Sequence, residues 1–197
     1  MNLLLTAEIL REHDIAVTLS GSDYLQTSVD LANQMLDTPE AQKLTSKGTF
    51  CQGDSSNLDF VPSSTFDFVF TGFIDPIMDP LHILPLDSTS LQKKFSSQKL
   101  CKTDAAMAAR EQKIQEDWFA SWILELIRIA KPGAYVLIET TDSPICSENQ
   151  FTWGGVDKSW FTSAVMTYDF DVDIDSFVFA DEKPPRYNTM FRKKTNS

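Results

Sequence analysis

Apolar side chains recur along the chain in two rhythms, one of period near 3.6 and one of short continuous or alternating runs. Leu3, Ala7 and Leu10 fall at i, i+4 and i+7, which predicts a helix over residues 3–13. Ile15 to Leu19 is a strand-like run that ends in Ser20-Gly21-Ser22-Asp23. A second helical face, Leu25, Val29, Ala32 and Leu36, follows from Tyr24, and Pro39 marks its end or a break. Residues 48–54 read as a short strand running into a turn, and residues 58–62 as a loop. Phe66 to Thr71 is apolar except for Asp67, which suits a central parallel strand covered on both faces. The strongest helical stripe is Trp118, Phe119, Trp122, Ile123, Leu126, Ile127 and Ala130, within residues 116–130. Lys131-Pro132-Gly133 is expected to stop it. Ala134 to Glu139 is another buried strand. A short helix is predicted over residues 160–166, and strands over residues 172–179 and 187–192, with Pro184-Pro185 in the turn between them.

The predicted order is helix, strand, helix, strand, strand, helix, strand, helix, strand, strand. Alternation of strand and helix implies an α/β protein with a doubly wound, mostly parallel sheet. The last two strands have only a turn between them and must be antiparallel. One domain over residues 1–197 is expected, carrying a flexible insertion at about 75–115. That insertion is locally basic: residues 87–113 hold six Lys or Arg against three Asp or Glu. It reads as a lid over a site or as a solvated loop.

Composition narrows the function classes. The net charge of −11 argues against nonspecific nucleic-acid binding, which needs a basic face. Three cysteines, Cys51, Cys101 and Cys146, stand far apart, so neither a zinc site nor a redox pair is expected. A reducing, cytoplasmic setting fits this usage. The N-terminal apolar run lacks a basic flank, and no stretch reaches membrane-spanning length.

Four places in this order resemble one family. Ser20-Gly21-Ser22-Asp23 looks like the acidic end of a second strand. Gly53-Asp54-Ser55, followed by Leu58, looks like the turn after a third. Phe66-Asp67-Phe68-Val69-Phe70 looks like a fourth, and residues 129–134 resemble the junction of a helix with a fifth. Together they resemble the class I S-adenosylmethionine-dependent methyltransferases over the length of the chain. The resemblance implies S-adenosylmethionine as cofactor, methyl transfer to a small-molecule acceptor, and no metal. It implies Asp23 for the ribose hydroxyls and Asp54 for the adenine amino group. Ser55 would offer its backbone N–H to the ring, and Tyr24 would stack near it. Thr71, Gly72 and Phe73 would line the methyl-transfer position.

Each residue also has a plainer reading. Asp23 suits a helix N-cap, Asp54 suits an Asx turn in GDSSN, and Tyr24 suits packing against its helix. Asp67 reads as structural. His82 is a candidate general base for a hydroxyl or acid substrate, or a loop histidine with no role; His13 sits near a helix C-terminus, where a cation is favourable. Trp153 and Trp160 are candidates to wall a substrate pocket. Asp75-Pro76-Ile77-Met78 lacks the second proline and the aromatic of an amino-methyltransferase motif and is discounted.

The family's first strand and glycine-rich loop are not found, and the chain is expected to begin at the helix after that loop. Loss of that strand would leave two hydrophobic edges unpaired. This admits an alternative, a non-catalytic methyltransferase-like remnant or interaction module. A nicotinamide-dependent dehydrogenase also ends its second strand in an acid, but its glycine fingerprint is absent and the terminal hairpin argues for the methyltransferase. The acceptor and the oligomeric state are not indicated by the sequence.

Overall fold

A computed structural model of the chain describes residues 3–72, 102, 104–141, 155–182 and 186–195. They fall into two compact units, residues 1–58 and 59–197.

The first unit holds α1 (Leu3–Glu12), β1 (Thr18–Asp23), α2 (Gln26–Leu36), α3 (Pro39–Leu44) and β2 (Ser46–Gln52). β1 lies three residues later than the apolar run predicts. The cause is the exit of α1. Asp14 takes a left-handed conformation at φ 60°. The Ile15 N–H reaches back to Leu10 O at 3.0 Å and the Asp14 N–H to Arg11 O at 3.0 Å. This is a Schellman ending, and it consumes Ile15 as a helix terminus instead of a strand. Thr38 caps α3 by accepting from the Ala41 N–H at 3.3 Å, with Pro39 in the first turn, where its missing donor costs nothing.

β1 and β2 pair in parallel, from Thr18↔Ser46 to Asp23↔Gln52, with one bulge. At the bulge Ser20 Oγ accepts from the Thr49 N–H at 3.2 Å. Gly48 lies beside it; a Cβ there would stand 2.8 Å from Leu19 O and collide with Ser20 Oγ. Only glycine fits that close approach.

The second unit holds β3 (Phe66–Gly72), α4 (Ala105–Ile129), β4 (Ala130–Thr141), α5 (Lys158–Thr167), β5 (Val172–Asp181) and β6 (Arg186–Lys193). Its sheet runs β3-β4-β6-β5. β3 and β4 are parallel; β6 is antiparallel to both β4 and β5. The expected terminal hairpin is present, and β6 is the strand that joins it to the parallel pair.

Helix α4 starts eleven residues before the predicted span of residues 116–130. Asp104 caps it, accepting from the Met107 N–H at 2.9 Å. The added turns hold residues 105–115 of the expected insertion; residues 73–101 and 103 lie outside the described residues. Lys131-Pro132-Gly133 does end α4, but it lies inside β4 as a wide bulge. Phe66 pairs with Ala130, while Phe68 pairs with Tyr135. Gly133 at φ 80° makes that excursion affordable.

One face of the sheet is dry. Val136, Ile138, Thr140, Tyr187, Thr189 and Phe191 are buried there. Phe161 of α5 lies against Phe179 and Tyr187, with ring centroids 6.2 and 6.3 Å apart, and meets Phe119 of α4 at 6.5 Å. Trp160, expected near a pocket, belongs to this core: it is 9% exposed and sits 5.8 Å from Phe119 and 5.3 Å from Phe161. The other face carries Phe68, Tyr135 and Val178, which are 40, 42 and 53% exposed. Among the described residues β3 pairs only with β4, where the sequence predicts a central strand covered on both faces.

Candidate functional site

In each unit the carboxyl end of a parallel pair gathers the predicted residues, and the two ends are described separately. Ligands of open α/β folds bind outside such ends.

In the first unit the register sets Asp23 beside Gln52, and the Gly53 N–H donates to Asp23 O at 3.0 Å. Gln52 Nε2 donates to Tyr24 O at 2.8 Å. These two bonds tie the end of β1 to the turn that carries Asp54 and Ser55. The Asp23 carboxylate accepts from the Leu25 N–H at 2.8 Å through Oδ1. It holds the turn into α2, while Leu25 occupies the N-cap position and makes no side-chain cap. Asp54 Oδ1 likewise accepts from the Ser56 N–H and Ser56 Oγ, both at 2.8 Å, an Asx turn. The Asx turn expected of Asp54 is therefore realised, whereas Asp23 is not the N-cap of α2 but bonds the residue that is; each leaves a second oxygen, Oδ2, with no hydrogen bond among the described residues. Asp23, Asp54 and Ser55 are half-buried; the Tyr24 ring is exposed. Such a pair of acceptors fits a ribose diol and an exocyclic amine, groups that donate hydrogen bonds.

In the second unit Thr71 and Gly72 close β3, paired with Ile138 and Glu139 of β4. Glu139 is only 8% exposed, and its Oε2 lies 3.1 Å from where a Gly72 Cβ would sit. On its other side Glu139 pairs with Asn188, whose Nδ2 donates to Glu182 Oε1 at 2.6 Å. Sequence reasoning read Glu139 as the last letter of a buried strand. The rule that singled out Asp23, an acid closing a strand, applies to it equally.

The remaining candidates play other parts. Asp67 receives both hydrogen bonds of Lys131 Nζ, at 2.8 Å, in an exposed ion pair. The His13 N–H donates to Leu10 O at 3.1 Å just past the end of α1. His82, Phe73, Trp153, Cys101, Cys146 and Asp75-Pro76-Ile77-Met78 lie outside the described residues. Among the described residues no three His, Cys, Asp or Glu side chains converge, and no helix is long and apolar enough to cross a membrane.

No family model and no curated protein matches the sequence. Solved structures do. A SAM-dependent methyltransferase from Methanosarcina mazei superposes with a TM-score of 0.56 at 13% identity, over 98% of this chain and 87% of that one. An O-methyltransferase family protein from Burkholderia thailandensis gives 0.52 at 11% identity, over 98% of this chain and 48% of that one. A possible exported protein from Bordetella parapertussis gives 0.56 at 11% identity, over 90% and 54%. The chain thus spans about half the length of two of these three. At such identities the likeness is one of fold, and the fold is that of SAM-dependent methyltransferases.

Proposed function

We propose that the chain binds S-adenosylmethionine and is a methyltransferase acting on a small molecule. The observation that carries this reading is the turn geometry at the end of β1 and β2. Asp23 and Asp54 are tied to neighbouring turns, and each keeps one carboxylate oxygen available. On this reading Asp23 accepts from the ribose hydroxyls and Asp54 from the adenine amine. Ser55 offers its backbone N–H to the ring, and Tyr24 lies against it. Thr71 and Gly72 are assigned to the methyl end.

When bound, S-adenosylmethionine supplies an electrophilic methyl group on a sulfonium. The chain's own contribution is to bind, align and exclude water, which needs no dedicated nucleophile. The acceptor is assigned to the class of small molecules because a net charge of −11 disfavours a polyanionic one.

Calorimetric titration with S-adenosylhomocysteine, with NAD as control, tests the proposal. Binding of the first alone, weakened at least tenfold in Asp23→Ala, is expected. Binding unaffected by Asp23→Ala would remove the ribose assignment. A folded chain that binds neither compound is a non-catalytic relative, and preference for NAD would point to a dehydrogenase.

A further inference from the structure

We propose that one face of α4, made by Gln115, Trp118 and Trp122, binds a small flat molecule that carries an N–H and a C=O side by side, a lactam or a carboxamide. The inference concerns the second unit alone and does not depend on the cofactor reading.

Three polar atoms on this face lack a partner. Gln115 Oε1, Trp118 Nε1 and Trp122 Nε1 are withdrawn from water and make no hydrogen bond. Among the described residues only Thr189 Oγ1 shares that state, so the unpaired atoms concentrate on α4. Gln115 is 3% exposed and Trp122 0%. Buried polar groups of folded proteins are nearly always paired, because an N–H or C=O taken out of water alone loses its hydrogen bonds outright. Positions 115, 118 and 122 are spaced i, i+3 and i+7, which sets the three side chains one above another on the helix.

The Gln115 amide cannot turn to satisfy itself. Its Nε2 donates to Gly155 O at 2.6 Å. A carbonyl only accepts, so the nitrogen must face Gly155 and Oε1 must face away. The same bond locates the face in the fold. Val156 O, next along the chain, accepts from Tyr187 Oη at 2.6 Å, and Tyr187 pairs with Thr140 near the end of β4. Gln115 thus stands near the carboxyl end of the β3–β4 pair, where ligands of open α/β folds collect.

The class of ligand follows from the three atoms. Gln115 Oε1 needs a donor, and the two indole N–H groups need acceptors. About 4.5 Å of helix axis separates Gln115 from Trp118. A cis amide presents its donor and acceptor on one edge at a similar spread, and its oxygen has two lone pairs, one for each indole. The two indole rings lie 6.3 Å apart, centre to centre, at 22°, and a flat ring packs well against such a face. Trp118 is only half-buried, which leaves its ring as the way in. A water could pair with any one of these atoms; an acceptor and two donors on one face match the edge of a single molecule.

The test is a titration of the full chain with the flat lactam carbostyril, followed through the indole N–H signals in proton–nitrogen correlation spectra, which Trp118→Phe and Trp122→Phe assign. Both signals are expected to move downfield as they gain an acceptor. N-Methylcarbostyril, which lacks the donor for Gln115, should bind about tenfold more weakly. Trp118→Phe keeps an aromatic ring and removes one N–H, and should weaken carbostyril about fivefold with an unchanged circular dichroism spectrum. Should that variant fail to fold, the comparison of the two lactams on the wild-type chain still decides. Equal binding of the two lactams, or indole signals that ignore both, overturns the inference and leaves water as the partner of these atoms. Binding of S-adenosylhomocysteine is read separately, so either reading can fail without the other.

Discussion

Lys193 Nζ donates a hydrogen bond of 2.9 Å to Ala130 O, and the two residues are 9 and 0% exposed. A lysine thus closes the dry face of the second unit's sheet and satisfies a carbonyl at the point where α4 becomes β4. Its aliphatic stem packs and its ammonium caps. Lys193→Ala should cost about 2 kcal/mol by loss of both, and Lys193→Met, which keeps the stem, about 1 kcal/mol. Urea denaturation of the two variants measures the difference; equal losses would mean that the stem contributes nothing, and a Lys193→Met variant as stable as wild type would mean that the hydrogen bond contributes nothing.

Lys113, Asp117 and Tyr168 form a closed triangle between α4 and the end of α5: Lys113 Nζ donates to Tyr168 Oη at 2.8 Å, and Tyr168 Oη donates to Asp117 at 2.7 Å. Burial alone would raise the Asp117 carboxyl, but the bonds from Lys113 and Tyr168 outweigh it and hold it below its usual range. Lys113 is held well above the usual lysine range, first by its bond to Asp117 and then by Tyr168, and Tyr168 is raised chiefly by burial. A depressed acid stabilises above its unfolded pKa of ~3.9 and loses that as pH falls through the folded value. Raised lysine and tyrosine groups stabilise below ~10 and lose that as pH climbs through theirs. The stability gap between wild type and Asp117→Asn should therefore be a plateau from about pH 5 to 9, closing on both sides. It should be small, because the Lys113 and Asp117 side chains are 56 and 52% exposed. Chemical denaturation across pH checks the shape; a gap growing toward pH 2 would contradict it.

Gly48→Ala should be the most damaging conservative change in the first unit. Its Cβ would meet backbone, Leu19 O at 2.8 Å, and backbone cannot step aside as a flexible side chain can. A loss of about 2–3 kcal/mol is expected, the scale of overpacking a filled site. Amide exchange of residues 18–23 and 46–52 would show it as faster opening of that strand pair.

One change should stabilise. Asp169 sits at φ 54° after α5, where the Phe170 N–H returns to Val165 O at 3.1 Å. This is the same ending that Asp14 makes after α1, with aspartate where glycine is the easier residue. Asp169→Gly should raise stability by about 0.5–1 kcal/mol, read as a higher thermal midpoint. A lower midpoint would mean that the carboxylate contributes something the backbone account omits.

The sequence was most legible where pattern and packing agree. The stripe of α4 and the final strand pair were both expected, because a buried face enforces its period. It was least legible where local geometry overrides pattern. Ile15 looks like strand, yet the left-handed Asp14 draws it into the end of α1. Residues 105–115 carry few large apolar side chains, so their periodicity is faint, although Ala, Arg, Glu, Gln and Lys favour helix strongly. Lys131-Pro132-Gly133 reads as a stop and is both a stop and a bulge. At the candidate site, Asp23 and Asp54 stood out as acids closing short strands. That each would bond its own turn through one oxygen and keep the other available required coordinates, as did the nearness of Glu139 to Gly72.

All four tryptophans of the chain, Trp118, Trp122, Trp153 and Trp160, lie after residue 58, and the first unit contains none. Indole fluorescence is thus an optical gauge of the second unit alone. Trp118, Trp122 and Trp160 each lie within 6.5 Å, ring centre to ring centre, of another aromatic ring, so their emission should shift sharply to the red when that core opens. Circular dichroism sums over the helices of both units. Recorded on one sample, the two signals form a differential instrument, and any temperature at which they part company is the temperature at which residues 1–58 and 59–197 cease to melt as one.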